Sequence, residues 1–209
     1  MKYKQFSTAC LAVFLMFSAA SAQRAEVTIA INEAFFDALL DSVFQNFDPP
    51  QFSISDSKTS GCNESIKVLK EIDGVRTAVR FREGKVFVPL AFSGNYAAPF
   101  IGCIEFAGVA ETNIDLEFDQ SGQRLIGRAR VLKVNLNGMG GVGGALIAKM
   151  LQGTIDKKLN PIEIIRTDKI SFAFPIPNTG NIKMRATGLR PEVSNGLLNL
   201  NITYEFLKG

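Results

Sequence analysis

The chain reads as an α+β protein, a meander of antiparallel strands that carries two apolar helices within one domain. Three observations predict this. Residues 85–137 alternate apolar with small or polar side chains between turn signals, as long strands do. Two segments, 33–47 and 142–160, repeat their apolar residues at helical spacing. The chain then closes on a hairpin in which Leu198, Leu200, Ile202, Tyr204 and Phe206 alternate strictly with Asn199, Asn201, Thr203 and Glu205. No tandem repeat or linker interrupts the 209 residues, so a single domain is expected over 23–209.

The opening 22 residues stand apart from that domain. Lys2 and Lys4 precede an apolar run from Cys10 to Ala20, and Ala20-Ser21-Ala22 supplies small residues at its end. This is the pattern of a secretory signal peptide cleaved after Ala22. The run is shorter than the roughly 18 residues of a spanning helix, and Cys10 stands at its start and not at its end, so neither a membrane anchor nor a lipoprotein fits. A soluble, exported chain is expected, in the periplasm or secreted.

Past this segment, Val27–Ile31 reads as a short strand, and Asn32 is a helix N-cap whose first turns carry Glu33 and Asp37. The first helix follows, apolar at Phe35, Phe36, Leu39, Leu40, Val43, Phe44 and Phe47, and Asp48-Pro49-Pro50 stops it. Residues 51–64 are polar and read as irregular. Strands are expected at 66–72, 74–82, 85–96, 104–118 and 124–137, with turns at Glu83-Gly84 and Asp119-Gln120-Ser121-Gly122. Gly and Ala among the alternating residues suit bends or bulges in a curved sheet. The second helix, 142–160, places Ile147, Met150, Leu151, Ile155 and Leu159 on one face and Lys149, Gln152, Asp156 and Asn160 opposite, ending at Pro161. Strands at 162–165 and 169–174 precede the closing hairpin.

Composition removes several chemistries. With no histidine there is no Ser-His-Asp triad, Cys-His pair or His-ligated zinc, and three cysteines cannot form a four-thiolate site. Loss of Lys2, Lys4 and Cys10 with the signal takes 23 basic residues to 21, against 20 acidic, and leaves two cysteines. So even a balance predicts no nucleic-acid partner. Cys62 and Cys103 are an even pair in an oxidising compartment, which favours a disulfide over two buried free thiols.

The motifs present are weak. Gly138-Met139-Gly140-Gly141-Val142-Gly143 matches G-x-G-x-x-G, but the antiparallel surroundings lack the parallel βαβ unit of a dinucleotide site. A flexible strand-to-helix turn explains it. Ser55-Asp56-Ser57-Lys58 matches S-x-x-K without the S-D-N and K-T-G that accompany that nucleophile. Asn63-Glu64-Ser65 and Asn201-Ile202-Thr203 fit a glycosylation acceptor, which a bacterial-type signal leaves without a role. No catalytic residue, metal ligand or cofactor is expected.

Element order carries a resemblance. The helix within Ile31-Asn32-Glu33-Ala34-Phe35-Phe36-Asp37-Ala38-Leu39-Leu40 opens it, and the second helix ends at Lys157-Lys158-Leu159-Asn160-Pro161-Ile162. The close is Gly188-Leu189-Arg190-Pro191-Glu192-Val193, then Gly196-Leu197-Leu198-Asn199-Leu200. The chain resembles the bacterial YceB-like proteins of the tubular lipid-binding (TULIP) type of fold. That resemblance implies a highly curved antiparallel sheet wrapped around one long helix, with a second helix and an elongated hydrophobic cavity. It implies an envelope lipid-binding protein without catalysis, in transient contact with a membrane or with envelope proteins. The expected cavity lining is Phe36, Leu40, Val43 and Phe44 of the first helix with Ile147, Met150, Leu151 and Ile155 of the second. The alternative is an envelope interaction protein with a packed core and no small-molecule ligand.

Overall fold

The structure, a computed structural model, describes residues 23–54, 62, 64–98, 100, 102–137 and 143–209. The expected signal peptide, the S-x-x-K stretch, Asn63 and the glycine run at 138–142 lie outside the described residues. In chain order the elements begin with β1 (Arg24–Asn32), α1 (Glu33–Asn46), β2 (Gln51–Ser53), β3 (Ser65–Val68), β4 (Glu71–Ile72), β5 (Val75–Arg76) and β6 (Arg80–Arg82). The long strands β7 (Lys85–Ala98), β8 (Gly102–Asp119) and β9 (Arg124–Leu136) follow, then α2 (Gly144–Lys158) and β10 (Ile162–Arg166). A 3-10 turn (Thr167–Ile170), β11 (Phe172–Ile176), β12 (Gly180–Ser194) and β13 (Leu197–Lys208) complete the fold.

Two curled antiparallel sheets, a two-stranded β4–β5 ribbon and two helices make this a broadly α+β molecule. The four-stranded sheet runs β1-β13-β12-β11, and the seven-stranded sheet runs β10-β9-β8-β7-β3-β2 with β6 on β7. The first described strand therefore pairs with the last, Arg24 opposite Glu205 through Asn32 opposite Leu197. Three expected segments break differently. The strand read at 66–72 divides into β3 and β4, and the one read at 74–82 into β5 and β6. The strand read at 169–174 begins only at Phe172, because residues 167–170 wind into the 3-10 turn. Residues 51–53, read as irregular, pair with β3.

Curvature has local causes. Register slips between Glu111 and Thr112 of β8, so two residues of β9 are spanned by one step of its partner. Nearby, Gly108 sits so close to the Asn135 carbonyl that any Cβ there would overlap its oxygen. The β6–β7 turn needs positive φ at both central residues, Glu83 at 51° and Gly84 at 73°, as tight two-residue hairpins do.

The inner face of the seven-stranded sheet is covered from two ends. At one end Val86 and Leu125, with half-buried Ile114, Leu116 and Phe118, meet Ala186, Leu189, Leu198, Leu200, Ile202 and Tyr204 of the four-stranded sheet. Phe81 of β6 is 1% exposed at the centre of this cluster. At the other end Ile147 and Leu151 of α2 pack on Ile66, Phe92, Phe106, Ala110 and Val134. Gln152 and Asn160 are exceptions to the solvent face expected for them. The Ala129 and Val131 amides donate to Asn160 Oδ1 at 2.8 Å and Gln152 Oε1 at 2.7 Å, and Asn160 Nδ2 donates to the Ala129 carbonyl at 2.9 Å. The pairing of β10 with β9 ends at Gly127, so these side-chain amides take over where a neighbouring strand stops.

Helix α1 is held differently. Asn32 caps it as expected, accepting from the Phe35 amide at 3.0 Å, but none of its residues is fully buried. Its polar edge is tied down by Asp41 to Lys70 (3.0 Å) and Arg76 (2.6 Å) and by Asp37 to Arg80 (2.8 Å). The Phe81 amide donates to Glu33 Oε1 at 2.7 Å. The Asp41 carboxyl lies below the usual carboxylate range because Lys70 and then Arg76 hydrogen-bond its charged form. A depressed pKa contributes stability present above the unfolded value, near 3.8, and lost as pH falls through the folded one. Acidification from pH 5 to 3 should therefore lower the amide-exchange protection of α1, taken relative to the intrinsic rate at each pH, before it lowers that of β13. Asp41→Asn should produce the same loosening at neutral pH. Equal protection of α1 in the variant and in the unaltered chain at pH 7 would remove the clamp from the account.

Candidate ligand-binding surface

The four-stranded sheet is longer than what covers it. Along β13 the even-numbered residues face inward, and Leu198, Leu200, Ile202 and Tyr204 are all buried. Tyr204 marks a boundary: its hydroxyl donates to the Ile170 carbonyl at 3.0 Å, and burial pushes its phenol pKa up. Beyond it the same face continues uncovered. Phe172 of β11 pairs with Met184 of β12, which pairs with Phe206 of β13, and Phe174 pairs with Ile182. Cross-strand partners share a face, so these side chains prolong the core surface as an apolar apron. Phe172 is 51% exposed, Phe174 49%, Ile176 and Ile182 40%, and Phe206 38%.

On the opposite edge, β1 repeats the pattern. Val27 pairs with Ile202 and Ile29 with Leu200, yet both are more than two-fifths exposed. Covering a Phe or Ile side chain completely is worth about 1.5–3 kcal/mol. The apron therefore offers several kcal/mol to whatever covers it, and its width across three strands suits an elongated apolar body. A groove of about 920 Å³ also runs at this end of the sheet, but it touches the apron only at Phe172 and Met184; Ala173, Lys183, Arg185, Glu205 and Leu207 bring it onto the opposite face, with Gln123, Thr167, Asp168 and Ser171 at its rim. Within its lining Glu205 pairs with Arg185 at 2.8 Å, and also with Arg24 at 3.2 Å. The Arg185 hydrogen bond holds the Glu205 carboxyl below its ordinary value.

The residues expected to line a cavity fall into separate places. Phe36 is half-buried against the sheet–sheet cluster, its ring edge-on to Phe81 at 5.6 Å. Leu40, Val43 and Phe44 are also half-buried on α1. Ile147, Leu151 and Ile155 are buried on α2, and Met150 packs half-buried on the second cluster with Ile147 and Leu151. The α1 and α2 sets share no cluster. Sequence reasoning missed the apron. Its signal was the alternation Phe172, Phe174, Ile176 through Pro175, obscured by starting that strand too early.

The expected bridge between Cys62 and Cys103 is present, with Cα atoms 5.4 Å apart. A disulfide suits an oxidising, non-cytoplasmic compartment. No helix among the described residues is long and apolar enough to cross a membrane, and no group of three or more potential metal ligands converges among them. Compared with known proteins, the chain matches no family model and no curated sequence.

Proposed function

We propose that the protein is an exported, non-enzymatic binding protein that holds a lipid or another long apolar ligand in the bacterial envelope. The observation that carries this reading is the apron. A core-facing sheet surface of phenylalanine and isoleucine extends past its own covering and lies open across three strands. The resemblance to the YceB-like proteins supports the same reading, with the apolar faces of both helices extending the lining. Each CH₂ covered adds about 0.8 kcal/mol, so chain length against the extent of the apron would set selectivity.

Native mass spectrometry of gently purified protein should show a co-purifying apolar species. Phe172→Ser with Phe174→Ser should abolish it while leaving the far-ultraviolet circular dichroism unchanged, because both side chains are half exposed. Absence of any bound species, together with no uptake of a fluorescent fatty acid, would sink the proposal. A second reading, an envelope interaction protein, is favoured by one feature. β11 is the outer strand of its sheet, so a partner protein could cover the apron and pair with that edge. Loss of a protein partner, and not of a lipid, in the same variant would favour it.

A further inference from the structure

At the end of the molecule covered by α2, a second depression of about 440 Å³ lies between that helix and Ile54, lined by Leu146, Lys149, Met150, Gly153 and Lys157. Residues 146, 149, 150, 153 and 157 recur at three- and four-residue steps and so form one stripe along the helix. Ile147 and Leu151 point away, into the core.

Two residues of this stripe, Gly153 and Lys149, are not explained by folding. Gly153 stands mid-helix, where glycine is unfavourable by comparison with alanine, yet a Cβ there would meet nothing within 4 Å. Packing does not require the glycine; it leaves a bare strip of backbone open to solvent. Met150 and Ile54 border it, both resting on the buried cluster, so the floor of the depression is apolar. Lys149, Lys157 and the neighbouring Lys158 are exposed and have no ion-pair partner among the described residues. Lys157 and Lys158 occupy the last turn, where cations offset the helix dipole. Lys149 does not, since it stands in the second turn of a helix whose first turn holds no acid.

We infer that this groove is a second ligand site, and that it takes a single-chain anionic amphiphile, a long-chain carboxylate. The head group lies among the three ammonium groups, and the first part of the tail lies over Gly153 between Met150 and Ile54. The inference rests on the proposed function in taking an apolar chain as the tail, but it uses a different end of the molecule. A carboxylate accepting charge-assisted hydrogen bonds from lysines beside apolar surface gains from both ends at once. Inorganic phosphate would engage only the lysines, and an uncharged alcohol of the same chain only the floor.

Titration of the purified protein with oleate, oleyl alcohol and inorganic phosphate, followed by amide chemical shifts, tests this. Oleate should shift amides of α2 at concentrations where neither of the other two does. Lys149→Glu with Lys157→Glu should weaken that response about tenfold or more, as should Gly153→Leu, which fills the bare strip. Gly153→Ala should preserve binding and raise the melting temperature by roughly 2–4 °C, which separates blocked access from a damaged helix. Phe172→Ser with Phe174→Ser should leave the α2 response intact. Oleate shifts confined to the apron would overturn this inference and leave the proposed function standing, whereas shifts at α2 alone would uphold it and remove the apron as the site of lipid binding. Equal binding of oleyl alcohol, or an α2 response to phosphate alone as strong as to oleate, would also overturn it.

Discussion

Phe81→Ala is expected to destabilise the protein by about 3–5 kcal/mol, the range for truncating a fully buried phenylalanine. Phe81 is 1% exposed, on a strand of three residues, and three separate parts of the fold converge on it. Its ring lies among Val86, Leu125, Leu198 and Ile202. Its amide donates to Glu33 at the start of α1. Its carbonyl accepts from the Gly196 amide in the β12–β13 turn at 3.0 Å. These backbone bonds hold the strand in place and prevent collapse into the vacated volume, which keeps the cavity cost high. The variant should also loosen α1, because Phe36 loses the ring it meets edge-on. Urea unfolding would measure the loss, and a double-mutant cycle with Phe36→Ala should return a coupling of about 0.5–1.5 kcal/mol. A loss under 1 kcal/mol would mean that the two sheets can close over the gap, contrary to the packing described.

Cys62→Ser with Cys103→Ser is the second large effect, a loss of about 4 kcal/mol in the chain-entropy model for a loop of 41 residues. The bridge sits at one end of three paired strands. Ser65 of β3 faces Asn95 of β7, and Ala97 of β7 faces Cys103 of β8, so the covalent link reaches across the central strand. The Ala97 amide already donates to Glu64 Oε1 at 2.9 Å. The folded arrangement therefore has polar and sheet contacts of its own, and the bridge acts chiefly by narrowing the unfolded ensemble. Chemical reduction of the unaltered protein should reproduce the double substitution in urea melts. A double-serine variant that unfolds at the same urea concentration as the bridged protein would contradict this.

Sequence patterning was most legible where one face is covered along its whole length. Leu198, Leu200, Ile202 and Tyr204 alternate in sequence and are buried in the fold, since one sheet lies over all four. Phe206 keeps the same parity but is 38% exposed. Periodicity reports which face a residue occupies, and not how far the opposing sheet extends. The same limit applies to α1, where Phe35 at 56% and Leu39 at 48% remain exposed because the apolar arc is wider than the surface it meets. Gln152 and Asn160 were legible as polar, but their attachment to β9 depended on where β10 stops. Of the two candidate surfaces, the apron was hidden by a misplaced strand start. The α2 groove was hidden because Gly153 and Lys149 belong to no known motif and gain meaning only beside Ile54, nearly a hundred positions away in sequence.

The pairing of β1 with β13 also bears on how the molecule is made. Arg24 waits for Glu205, and Val27 for Ile202, so the four-stranded sheet cannot close until almost the entire polypeptide has been synthesised. A chain threading through a membrane pore N-terminus first would emerge with its seven-stranded meander able to form from neighbouring segments, while β1 remained without its partner. Contacts that close so large a loop form slowly. The interval before closure is one in which Val27, Ile29 and the underside of β6 are open together, and a long apolar molecule present at that moment would meet a far wider surface than the finished fold offers.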